Sequence, residues 1–176
     1  MSRFKTSGAP ELLDELARRH LRQVRNMLFH MVLNQADADD LAQEVLLRAF
    51  RGLGQFDGRA RFSTWLYTIT LNTARTFLAR RARVPVVPTA SPVDAAIPAH
   101  QTASSRVLGN ELDDRISAGL ASLSPKLRAA LVLTVIHELD VSDVAAVEGC
   151  TAATVYWRVY QARKQLRKFL GAYLDG

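Results

Sequence analysis

The sequence predicts an all-α chain: two small helical domains joined by a flexible linker, the second of them a helix-turn-helix domain. Three observations carry this. From Pro10 to Arg83 apolar residues recur at three- and four-residue spacing, and glycine and proline are rare. From about Val84 to Ser105, Pro85, Pro88, Pro92 and Pro98 are interleaved with Ala, Ser, Thr and Val, a composition that cannot sustain a helix and has little to bury. From about Leu108 to Leu174 the helical period returns. The expected organisation is therefore residues 1–83 as one domain, 84–107 as linker and 108–176 as the second domain.

The first helix begins near Pro10, a residue suited to the first turn. Leu12, Leu13, Leu16, Leu21, Val24, Leu28, Val32 and Leu33 form its expected buried stripe. The second helix is expected to start near Asp37 as N-cap and to run to about Arg51. Its inner face is Leu41, Ala42, Val45, Leu46 and Ala49. Asp40, Gln43, Glu44, Arg48 and Arg51 lie opposite, and Leu47 falls among them. A lone leucine on a polar face is ordinary, but one ringed by acids is also a suitable anchor for a protein partner.

Charge then reverses. From Arg51 to Arg83 there are seven arginines and one acid, Asp57. A loop, Phe56 to Phe62, leads into Ser63-Thr64-Trp65-Leu66-Tyr67, and the helix that follows carries Asn72, Arg75, Arg80 and Arg81. Guanidinium groups neutralise phosphates, aromatic rings stack on unpaired bases, and a side-chain amide reads a base edge. Trp65 also continues an apolar stripe with Leu66 and Ile69, which is the pattern of a core residue. Arg80 and Arg81, at a helix end, also suit the macrodipole.

In the second domain Ser124-Pro125 reads as an N-cap followed by Pro at the first helical position, opening a helix to about His137. Ser142 is the expected cap of a short helix with Val144, Ala145 and Val147. Glu148-Gly149-Cys150 reads as a tight turn, and Thr151 as the cap of a third helix through Val155, Val159, Ala162, Leu166 and Phe169. A small residue, a glycine and a valine at positions 145, 149 and 155 meet the packing needs of a helix-turn-helix. From Thr151 to Leu170 there are five basic residues (Arg158, Arg163, Lys164, Arg167, Lys168) and no acid, which points to duplex DNA.

Composition bounds the rest. The chain has 176 residues, a net charge of +6, 48% hydrophobic and 23% charged residues, a globular balance that favours an anionic partner. A single cysteine, Cys150, excludes an internal disulfide and suits a reducing, cytoplasmic location. In the helix-turn-helix turn it reads as a packing residue. No metal cluster or cofactor motif is expected, and the four histidines have no triad spacing, so an enzyme is not expected. No apolar run approaches a signal peptide or the length that spans a bilayer.

Two stretches resemble a known family. Asp37-Ala38-Asp39-Asp40-Leu41-Ala42-Gln43-Glu44-Val45-Leu46-Leu47-Arg48-Ala49-Phe50 is similar to the helix with which bacterial RNA polymerase sigma factors grip the core enzyme. Phe56 to Arg59, Phe62 to Tyr67 and Asn72 to Arg75 resemble the promoter-melting and minus-ten-reading segments of the extracytoplasmic-function group. Leu123 to Arg128 and Thr154 to Leu166 resemble its minus-thirty-five-reading domain. The resemblance implies that Asp39, Asp40, Gln43, Glu44 and Leu47 face core polymerase or an anti-sigma protein. It implies that Arg59, Arg61, Phe62, Ser63, Trp65, Asn72, Arg75 and Arg80 serve the minus-ten element. It likewise assigns Thr151, Thr154, Tyr156, Trp157, Arg158, Gln161 and Arg163 to the minus-thirty-five element. Partners would be core polymerase, promoter DNA and an anti-sigma protein, often membrane-anchored; the chain itself would be monomeric outside these complexes and not inserted in a membrane. Tyr156-Trp157, Gln161 and His137 to Val141 depart from the family's usual residues. The alternative is a stand-alone helix-turn-helix regulator, which leaves the acidic second helix unexplained.

Overall fold

The computed structural model describes residues 9–83 and 107–174. Side chains are described for residues 14, 15, 17–83 and 115–171. The expected linker 84–107 lies outside the described residues except for Val107, which already belongs to a helix. Among the described residues there are seven α-helices and no strand.

The first domain contains α1 (Ala9–Val32), α2 (Gln35–Gly52) and α3 (Phe62–Arg83), with a short 3₁₀ turn at Leu53–Gln55. Val24, Leu28 and Val32 of α1 are buried as expected. Leu21 is exposed instead, and Met27 and Met31 fill the core. The apolar stripe of α1 turns with the 3.6-residue period toward residues 24, 27, 28 and 31, and that rotation carries position 21 outward. Leu12, Leu13 and Leu16 have side chains outside the described residues. α1 ends without glycine, as Leu33 takes a left-handed backbone (φ 58°) and remains half-buried.

The cap of α2 is Asn34 and not Asp37, because the Asn34 side chain accepts a hydrogen bond from the Asp37 amide at 2.9 Å. Asp37 then sits in the first turn, where the dipole favours an acid. The inner face of α2 is buried as the wheel requires: Leu41, Ala42, Val45, Leu46 and Ala49. α3 is one continuous helix of 22 residues from Phe62 onward, so its aromatic start and its Asn72–Arg80 stretch share a single rigid rod.

The second domain contains α4 (Val107–Ser122), α5 (Pro125–Leu131), α6 (Val141–Glu148) and α7 (Ala152–Leu174). α5 runs on as a π-helical segment, Val132–Ile136. Ser124 occupies the cap position of α5, but its side chain makes no capping bond. Asp140, not Ser142, precedes α6, and Ser142 lies inside the helix, again without a side-chain cap. Gly149 ends α6 at φ 64°, ψ 42°, the left-handed turn the sequence requires. The Thr151 hydroxyl accepts from the Thr154 amide at 3.2 Å and caps α7 as expected. Val144, Val155 and Ala162 are fully buried where α6 and α7 cross. α4 closes on α7 at Gly119, where an added Cβ would come within 3.0 Å of Leu166.

The two domains are docked. α3 lies against α6, and the end of α1 against α5 and the π-helical segment. Arg128 pins this seam. Its buried guanidinium donates to the carbonyls of Met31 (2.7 Å), Leu120 (2.8 Å), Ala121 and Leu123 (both 3.3 Å). The first belongs to the last turn of α1, where carbonyls lack helical partners. Tyr67 of α3 packs on His137 with ring centroids 5.4 Å apart.

Candidate functional site

Three surfaces gather the residues singled out by sequence. The first is the outer face of α2. Leu47 is 45% exposed, and Asp40 and Gln43 are exposed with it. Asp39 and Glu44 are half-exposed and locally paired: Asp39 accepts from Arg25 of α1 at 2.8 Å and from Gln35 at 3.1 Å, and Glu44 pairs with Arg48 one turn on. Such exposed pairs contribute little stability and part readily for another partner.

The second surface runs from the 56–62 loop along α3. Arg59 and Arg61 point into solvent. Phe62 and Trp65 join Phe56 in a half-buried aromatic cluster with centroid separations of 5.3–5.6 Å, and His20 of α1 lies 5.2 Å from Phe62. Trp65 also presses on Gly52, where an added Cβ would come within 3.3 Å of its ring. Trp65 thus packs as a core aromatic as well as flanking the loop. Ser63 is half-exposed, and Asn72 and Arg80 are exposed on the outer side of α3. Arg75 is different: its guanidinium lies 2.9 Å from Oε1 of Glu148, at ion-pair distance, and the arginine is only 34% exposed.

The third surface is α7. Thr151, Tyr156, Trp157 and Arg163 are exposed, and Thr154 and Gln161 half-exposed. Tyr156 (65%), Trp157 (58%) and Tyr160 (63%) form an open aromatic face that packs on neither domain. Arg158 is turned the other way. It is 14% exposed, pairs with Glu148, and brings its Nη1 within 3.7 Å of the Cys150 sulfur. Cys150 itself is half-buried against the core, as its packing reading requires.

Sequence reasoning missed the acids that meet these arginines. Glu148 is fully buried between Arg75 and Arg158. Asp143 accepts from the Thr64 hydroxyl at 3.2 Å and lies 3.6 Å from Arg61. One signal was available. Glu148 is the last residue of α6, the negative end of the helix dipole, where a carboxylate is unfavourable unless cations hold it. Burial pushes its carboxyl above the usual range, against the pull of Arg75, Arg158 and Lys126. His137 is the other missed residue. Burial and nearby His30 lower it to about 4, and its Nε2 is buried without a hydrogen-bond partner.

Among the described residues no group of three or more His, Cys, Asp or Glu side chains is placed to hold a metal ion. No described helix is long and apolar enough to cross a membrane.

Comparisons agree on one family. The model described as Sigma-70 region 2 matches residues 16–84, and that described as Sigma-70, region 4 matches residues 113–166. The RNA polymerase sigma-H factor of Pseudomonas aeruginosa is 30% identical over 93% of this chain and 88% of its own. The ECF RNA polymerase sigma factor SigE of Mycolicibacterium smegmatis is 33% identical over 89% of this chain, which spans 61% of that relative. The fold is shared with the sigma factor RpoE of Bartonella quintana, solved in complex with the anti-sigma factor NepR (TM-score 0.70, 24% identity, 90% of this chain and 96% of that one).

Proposed function

This chain belongs to the sigma-70 family of RNA polymerase sigma factors, in its extracytoplasmic-function group, and from that premise we propose how its surfaces divide the work of promoter-specific initiation. Residues 1–83 act as the polymerase-binding and minus-ten domain, 108–176 as the minus-thirty-five domain, and 84–107 as the tether between them. The protein works in the cytoplasm as a binding factor and carries out no covalent chemistry.

The outer face of α2 docks on core polymerase through Leu47, with Asp39, Asp40, Gln43 and Glu44 around it. The observation that carries this is the exposure of Leu47 within an acidic ring. A leucine so placed gains from a partner what water denies it. Arg59, Arg61, Phe62, Ser63 and Trp65 flank the loop that takes a flipped non-template base. Asn72, Arg75 and Arg80 engage the minus-ten strand from α3. Capturing unpaired bases offsets the few kcal/mol that unstacking costs, and that drives melting. Thr151, Thr154, Tyr156, Trp157, Arg158, Gln161 and Arg163 meet the minus-thirty-five duplex. Exposed Tyr156 and Trp157 offer apolar contact to thymine methyls. An anti-sigma protein competes with polymerase for the α2 face.

The test is reconstitution of the chain with core polymerase and selection of promoters from a randomised template pool. Recovery of a paired minus-thirty-five and minus-ten motif supports the reading. Duplex binding without any polymerase association would replace it with a stand-alone helix-turn-helix regulator.

A further inference from the structure

Two arginines assigned to opposite ends of a promoter meet on one buried carboxylate. Arg75 reaches Glu148 from α3, and Arg158 reaches it from α7. A second acid of α6, Asp143, holds Thr64 and faces Arg61 at the start of α3. The short helix α6 therefore presents two carboxylates where α3 presents part of its basic face. We propose that the free chain masks its own DNA-reading surfaces, with Glu148 as a shared anionic clamp that promoter phosphates must displace from both arginines. The proposal rests on the minus-ten and minus-thirty-five assignments above.

The chemistry of the clamp suits release. A guanidinium pairs with carboxylate or phosphate through the same forked donors, so DNA is a direct competitor for Arg75 and Arg158. Arg128 keeps three of its four carbonyl acceptors within its own domain when the domains part, losing only Met31. The remaining seam contacts are the Tyr67–His137 stack and the Asp143 pairs. Glu148 also carries a desolvation cost that its arginines do not fully offset, since its carboxyl is pushed upward despite them. Separation rehydrates it. Because one carboxylate serves both arginines, its loss frees both surfaces together. A population shift of this kind raises apparent affinity by the fraction of closed chain that it removes.

The test uses the full chain with dyes on Gln55→Cys and Gln165→Cys, both exposed positions, in a Cys150→Ala background. Transfer efficiency reports domain separation, and fluorescence anisotropy reports binding of a single-stranded minus-ten oligonucleotide without polymerase. Glu148→Gln, kept isosteric, is expected to shift the chain to low transfer and to tighten the oligonucleotide about tenfold. Unchanged transfer and unchanged affinity would overturn the clamp. Opening without tighter binding would leave the clamp standing and remove Arg75 from the minus-ten assignment. Should Glu148→Gln unfold, Thr64→Cys with Asp143→Cys provides a lock across the 3.2 Å Thr64–Asp143 bond. The oxidised lock is expected to lose the oligonucleotide and to regain it on reduction. Equal binding in both states, or failure of the disulfide to form, would refute the masking.

Discussion

α2 and α7 are both helices whose function was predicted from a polar face, yet their fates in the fold differ. The outer face of α2 stays where the helical wheel puts it, with Leu47 open to solvent and its neighbouring acids paired locally. α7 divides its predicted DNA face. Tyr156, Trp157 and Arg163 remain open, while Arg158 is drawn inward to Glu148. The difference lies in who stands opposite. Nothing among the described residues covers the outer side of α2. One side of α7 crosses α6, whose last residue is a buried acid. A wheel tells which face is polar, not which polar residues have found a partner within the chain.

The largest effect expected is at Leu47. Leu47→Asp should weaken core polymerase binding by about a hundredfold or more, roughly 3 kcal/mol. The melting temperature should move little, because an exposed side chain lies outside the core. Calorimetric melting beside a polymerase titration separates the two. A variant that unfolds would mean that α2 is not open in the way described.

The docked side of the molecule is tested by pH. His137 has a folded-state value of about 4 against an ordinary value near 6.5, so it is neutral when folded and charges first in the unfolded chain. A group with a depressed folded value contributes stability that is present above its unfolded value and lost as pH falls through the folded one. Stability should therefore decline between about pH 6.5 and pH 4, by up to about 3 kcal/mol from this group. His137→Phe should flatten that part of a denaturant-midpoint profile. An unchanged slope would show that the seam around Tyr67 and His30 does not hold His137 neutral.

Asn72→Ala addresses the open part of α3. It should relax minus-ten selection by about 1–3 kcal/mol while leaving polymerase affinity unchanged. Equal loss in both assays would instead indicate damage to the helix. Asn34→Ala is the smallest change, costing about 1 kcal/mol through the lost cap of α2. An equivalent loss from Asp37→Ala would return the cap to the position the sequence suggested.

Much of this was legible before any coordinates. Periodicity located the helices, and the inner face of α2 matched residue for residue. Gly149 and Thr151 announced the turn, because a left-handed backbone and an orphan amide each demand a particular side chain. Capping was read less well at α2 and α6. Asn34 and Asp37 are both good caps, as are Asp140 and Ser142, and only the path of the chain chooses between them. Leu21 and Met27 exchanged places for a similar reason. Both are apolar, and the rotation of α1 against its neighbours decides which one is covered.

The sequence by itself determined the all-helical class, the helix-turn-helix and the polar faces, because each follows from contacts within a few residues. Only the tertiary structure decided that Glu148 would sit between Arg75 and Arg158, and Asp143 against Thr64 and Arg61. These pairs span 10 to 82 positions along the chain. Coulomb attraction acts through space and is strengthened where water is excluded, so the docking of α3 on α6 creates it.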